Sequence, residues 1–121
     1  MMANRRHRLE LTDANERAAT ERIYESRRDA HLEFLRMCEV VMVGLGGQAS
    51  PSSTDLWERF HHGLVAVEVF GTATTAELAQ AASGALLGAV DDNDEPSWVE
   101  ARESVDRYRA AVRLDLGVDR S

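Results

Sequence analysis

Glu58 and His61 stand three residues apart in Glu-Arg-Phe-His, a spacing that sets a carboxylate and an imidazole on one face of a helix. Such Glu-x-x-His segments build di-iron sites in four-helix proteins, where two copies and two further inward glutamates share the metal. No second Glu-x-x-His occurs in the 121 residues, so a complete site would need a second copy of the chain. Glu58 and His61 are therefore the candidate metal ligands, and no cofactor is expected.

The remaining reactive side chains point to structure before chemistry. His31 lies beside Ala30 and near Phe34, which reads as an imidazole partly buried and hydrogen-bonded to a neighbouring helix. Cys38, the one cysteine, falls at an apolar helical position and reads as a small buried hydrophobe; a lone thiol excludes an intrachain disulfide and a multi-thiolate metal site. Serines and threonines concentrate in loops and caps, and no nucleophile with a positioned base is identified, so no catalytic residue is expected. Gly44-Leu45-Gly46-Gly47 lacks the Gly-Lys-Ser/Thr ending of a phosphate-binding loop and follows a helix where that loop follows a strand. Asp91-Asp92-Asn93-Asp94-Glu95-Pro96 is acidic but lacks the spacing and distant glutamate of a calcium loop, and reads as a turn.

Four amphipathic patterns carry these residues. The first helix is expected over about residues 12–44, from Asp13 as a possible cap, with Ile23, Ala30, Phe34, Met37, Cys38, Val41 and Leu45 at three- and four-residue spacing. Gly44 to Ser53 reads as a loop. A second helix is expected over about 54–70, with Trp57, Phe60, Leu64 and Val67 on one face and Leu56, Val65 and Val69 widening it. The valines make a strand at 64–70 the competing reading. Gly71 marks a corner, after which Thr74 and Glu77 form an expected capping box for a third helix over about 75–90, lined by Leu78, Ala82, Leu86 and Ala89. Ser97 and Glu100 form another expected box, opening a fourth helix over about 97–116 with Trp98, Ala101, Val105, Tyr108 and Val112 on its apolar face. Gly117 is its natural stop.

This pattern predicts an all-α fold: a four-helix antiparallel bundle-like domain with a long projecting first helix, preceded by a flexible basic tail over residues 1–11. At about 1.5 Å per residue the first helix would reach ~48 Å and its neighbours only ~25 Å. The better-patterned half, Ala30 to Leu45, should pack on them. The earlier half, with Ala19, Ile23, Tyr24 and Arg27, should project as an interaction surface, and a homodimer through the first helix is the expected partner arrangement.

Charge bears on partners. The net charge is −7, and all 14 basic side chains are Arg, the codon signature of a GC-rich genome such as an actinobacterium or its phage. Residues 1–44 balance eight Arg against eight acids, whereas residues 45–121 set six Arg against thirteen. The body should repel nucleic acid, leaving Arg5, Arg6 and Arg8 as the residues able to grip a phosphate backbone. No apolar run approaches the ~20 residues of a membrane span and no signal peptide is recognised, so a cytoplasmic protein without membrane contact is expected.

Two short segments carry a resemblance. Val69-Phe70-Gly71-Thr72 and Ala111-Val112-Arg113-Leu114-Asp115-Leu116-Gly117 resemble the "LYGS" and "MRxDLG" segments of small helical bacterial and prophage proteins of uncharacterised function, in which a long first helix precedes both. Many of those proteins carry a membrane anchor ahead of that helix; no apolar anchor is read here, so membrane attachment is not among the expectations, and Phe70 and Thr72 replace the more typical Tyr and Ser. The resemblance implies a helical fold and supplies no activity. The functional expectation is a non-enzymatic, oligomeric interaction or regulatory protein with an unknown protein partner. The alternatives are a metal-binding helical bundle enzyme using Glu58 and His61, and a nucleic-acid-binding regulator using the basic N-terminal residues.

Overall fold

The structure, a computed structural model, describes residues 2–46 and 54–117, with side chains placed for 12–43 and 55–117. Four helices account for nearly all of it: α1 (Met2–Gly46), α2 (Thr54–Phe70), α3 (Ala73–Asp92) and α4 (Glu95–Asp115). No strand occurs among the described residues, and the 64–70 segment is helix. Continuous three- and four-residue spacing from Trp57 outweighs the β-preference of its valines. None of the described helices is long and apolar enough to cross a membrane.

The helices form an antiparallel bundle. α3 and α4 make the most extensive contact, α1 lies along α2, and the two hairpins close on each other. Ring contacts fix the centre. Phe34 of α1 meets Phe60 of α2 at 5.3 Å and Tyr108 of α4 at 5.3 Å, the latter edge-on at 86°. Such pairs contribute ~0.5–1.5 kcal/mol each beyond the burial of their area. Around them lie Met37, Cys38, Val41, Val67, Leu86, Val105 and Val112, all buried. Ala79, Ala82 and Ala89 on α3 and Ala101 on α4 are fully buried, and small side chains let that hairpin close tightly.

The ends of the elements differ from expectation. α1 begins at Met2, so the backbone of the supposed flexible tail continues the helix; no Gly or Pro precedes Gly44, and Ala, Arg, Leu and Glu dominate the stretch. The side chains of Arg5, Arg6 and Arg8 lie outside the described residues, as does most of the expected loop; its residues 44–46 extend α1. α3 starts two residues before its expected first residue: Thr72 caps it, accepting from the Thr75 amide at 3.2 Å while the Thr75 hydroxyl accepts from the Thr72 amide at 2.9 Å. The expected Thr74–Glu77 box is displaced because the chain leaves the Gly71 corner already in extended conformation at Thr72. Asp94, not Ser97, caps α4, its carboxylate accepting from the Ser97 amide at 2.9 Å, with Pro96 in the first turn where a missing N–H costs nothing. Asn93, in the left-handed region at φ 48°, ends α3. The acidic run is thus two helix caps back to back. Val65 and Val69 face outward, being 40% and 67% exposed.

α1 is far longer than the bundle it belongs to. Residues 24–46 span about 35 Å, close to the lengths of α3 and α4, and residues 2–23 extend about 33 Å further. Ile23 repeats the helical phase of Ala30, Phe34, Met37 and Val41, yet it is 56% exposed while Phe34 is fully buried. One helix face therefore runs from core to solvent at the level of Tyr24.

Candidate functional site

His31 occupies the buried face of α1 between Ala30 and Phe34, and both of its ring nitrogens are bonded. Nδ1 lies 2.7 Å from the Tyr108 hydroxyl and Nε2 lies 2.9 Å from Asp115 Oδ2. A carboxylate only accepts, so Nε2 carries a hydrogen and donates it; in the neutral ring Nδ1 then accepts from the Tyr108 O–H. Asp115 passes the chain of contacts outward through its other oxygen, 3.6 Å from Arg27 Nη1. Arg27, one turn before His31, also donates from Nε to the Phe70 carbonyl at 2.9 Å. That places a cation at the C-terminal end of α2, where unpaired carbonyls carry the negative end of the helix dipole.

The two segments that carried the sequence resemblance meet at this place. Phe70 and Gly71 belong to the first; Asp115 and Leu116 belong to the second. A Cβ built at Gly71 would sit 2.6 Å from the Val67 carbonyl oxygen, 2.7 Å from Thr75 Oγ1 and 3.2 Å from His31 Cε1. Glycine is required there because the imidazole and the cap of α3 close on the corner from two sides. Tyr24 completes the arrangement by donating its hydroxyl to the Leu116 carbonyl at 3.3 Å.

Exposure rises along the network, from fully buried His31 and Tyr108, through Asp115 with 9% of its side chain exposed, to Arg27 with 31%. Burial, with Cys38 and Asp115 adding to it, pushes the Tyr108 hydroxyl above its ordinary range and keeps it a neutral donor. Burial likewise pushes the Cys38 thiol up to about 12, the opposite of what a nucleophilic thiolate needs.

A histidine held by an aspartate is also the base and its orienting group in acyl-transfer triads. Here the nitrogen that would face a nucleophile holds Tyr108 instead, and the ring has no exposed surface. No buried side-chain nitrogen or oxygen among the described residues lacks a hydrogen-bond partner. The arrangement is a closed polar lock that ties α1 to the ends of α2 and α4.

The other candidates are distributed elsewhere. Glu58 and His61 are both exposed on α2. His62, rather than His61, shares with Glu58 a shallow groove of about 300 Å³ that also borders Glu33, Arg59 and Gly63. Glu33 is engaged there by Arg36 at 3.9 Å and Arg59 at 4.0 Å. Among the described residues no group of three His, Cys, Asp or Glu side chains is placed to hold a metal ion. Of the expected interaction residues, Ala19 and Ile23 are exposed on the extension of α1. Tyr24 and Arg27 are engaged within the chain, Tyr24 by the Leu116 carbonyl and Arg27 by the Phe70 carbonyl and Asp115.

Sequence reasoning found the pieces of the lock without joining them. The available signal was Arg27 and His31 at i, i+4 spacing on the helix face that also carries Ile23, Ala30 and Phe34, which calls for a polar counterpart on a packed neighbour. The chain matches no protein-family model, no curated protein and no solved structure.

Proposed function

We propose that this chain is a non-enzymatic helical interaction or regulatory protein, in which the bundle holds α1 and residues 2–23 form an arm that contacts another protein. The observation carrying this reading is the change in exposure along one face of α1, from Phe34 at 0% to Ile23 at 56%. A helix extending about 33 Å beyond its supporting neighbours loses the packing that stabilises most helices in proteins. Covering Ala19 and Ile23 restores that packing. The lock supports the same reading, because Arg27, His31 and Tyr24 clamp α1 at the point where the arm leaves the bundle. The likeness to small bacterial and prophage helical proteins belongs to this proposal, supported by the convergence of its two segments on the lock.

The test is affinity recovery from a lysate of the source organism with the full chain as bait, beside an Ile23→Glu variant. Proteins held by the parent and lost by the variant, then shown to bind directly when purified, are expected. Identical recovery by both baits, together with identical self-association, would sink the reading.

A further inference from the structure

We infer that the occupant of the arm is a second copy of this chain, its arm running antiparallel to the first. The inference rests on the reading of the arm as the contact surface and names its partner. Charge is ordered along this one helix. Arg5, Arg6 and Arg8 lie in the first two turns of α1, and no acid precedes Glu10. From Glu10 to Glu25 the balance reverses, with Glu10, Asp13, Glu16, Glu21 and Glu25 against Arg17 and Arg22. The arm is basic at its tip and acidic toward the bundle.

Cations at a helix N-terminus oppose the positive end of the helix dipole. α1 has no acidic residue in its first turn to offset them. An antiparallel second arm lays its acidic stretch beside that basic tip and receives the same in return, and it also sets the two helix dipoles in opposition. A parallel pair would place tip against tip and acid against acid. A nucleic acid would meet four carboxylates on the same arm and a chain of net charge −7. Thr12, Glu16, Ala19 and Ile23 recur at four-, three- and four-residue spacing on the face that continues from the core, which gives the two arms a common seam.

Sedimentation equilibrium of the full chain at micromolar concentration, in 50 mM and 500 mM salt, tests the pairing. The expected result is a dimer whose Kd rises at least tenfold at the higher salt, since opposite charges on solvent-exposed arms are screened. The triple variant Arg5→Glu, Arg6→Glu, Arg8→Glu should be monomeric in both while keeping its helical circular dichroism, because acids suit that end of a helix. A dimer unchanged or tightened by salt, or a triple variant that dimerises as tightly as the parent, overturns the inference.

Spin labels on Ala3→Cys in a Cys38→Ala background report orientation. Full antiparallel overlap places the two labels about 30 Å apart, whereas a parallel pair brings them within about 15 Å and overturns the inference. A monomer under all conditions also overturns it, and leaves the proposed function to be decided by the lysate experiment.

Discussion

His31 Nε2 sits 2.9 Å from Asp115 Oδ2 across 84 residues of sequence, and this contact joins the middle of the first helix to the last residue of the fourth. Because the imidazole is fully buried, its two bonds set much of the cost of disturbing this end of the bundle.

Replacing Asp115 with Ala strands the His31 N–H, and leaving a buried donor unpaired costs ~1–3 kcal/mol. Urea denaturation should show that loss. A double-mutant cycle with His31→Ala should return a coupling of ~0.5–3 kcal/mol, the range for directly contacting residues. Additive single effects would show that the two side chains contribute independently.

Glycine positions should separate by sign. Gly71→Ala forces a methyl group against the Val67 carbonyl and Thr75 Oγ1, and should destabilise by ~1–3 kcal/mol through overpacking. A Cβ at Gly84 or Gly88 meets nothing within 4 Å, so alanine there should stabilise α3 by ~0.5–1 kcal/mol. Thermal unfolding of the three variants checks the contrast directly.

Alkaline pH should weaken the fold through Cys38. Its thiol ionises near 9.0 when unfolded and only at about 12 when folded, so the unfolded state loses its proton first. The associated stability is complete below pH 9 and is lost progressively as pH rises toward 12. Cys38→Ala should reduce the slope of stability with pH across that window. The parent thiol should also resist alkylation at pH 8 until denaturant is added.

The Asp94 cap should show the opposite dependence. Hydrogen bonds from Ser97, first through its side chain and then through its amide, hold the Asp94 carboxyl below its ordinary 3.8. Its contribution is present above that value and disappears as pH falls through the lower folded value. Asp94→Ala should therefore melt below the parent at pH 7 and converge with it in strong acid. A gap that persists unchanged to the lowest pH would assign the effect to something other than the carboxylate.

Helix identity was legible from apolar spacing alone, because Phe34, Phe60, Leu86 and Val105 each recur in phase with a buried face. The caps were harder. Thr72 and Thr74 are equally good candidates by residue type, and only the path of the chain out of the Gly71 corner selects between them. Similarly, Asp94 and Ser97 both satisfy the composition of a cap, and Pro96 decides for Asp94 because proline fits the first turn. The lock was least legible. Its members come from three helices and a corner, and no local pattern says that residue 31 will meet residue 115. Ile23 was legible by length and not by pattern: its spacing is that of a core residue, but the shorter neighbouring helices mark it as projecting, and it is 56% exposed.

The position of the lock also sets an order of events in folding. His31 is synthesised long before Tyr108 and Asp115, and its partners are in place only when the last turn of α4 has formed, whereas Arg27 meets the Phe70 carbonyl already at the end of α2. Until then Phe34 can pack on Phe60 of α2, but the imidazole of His31 lacks both of its hydrogen-bond partners. Completion of the fourth helix pairs and buries that imidazole and brings the Leu116 carbonyl to Tyr24, and so clamps α1 at the point from which its first 22 residues extend.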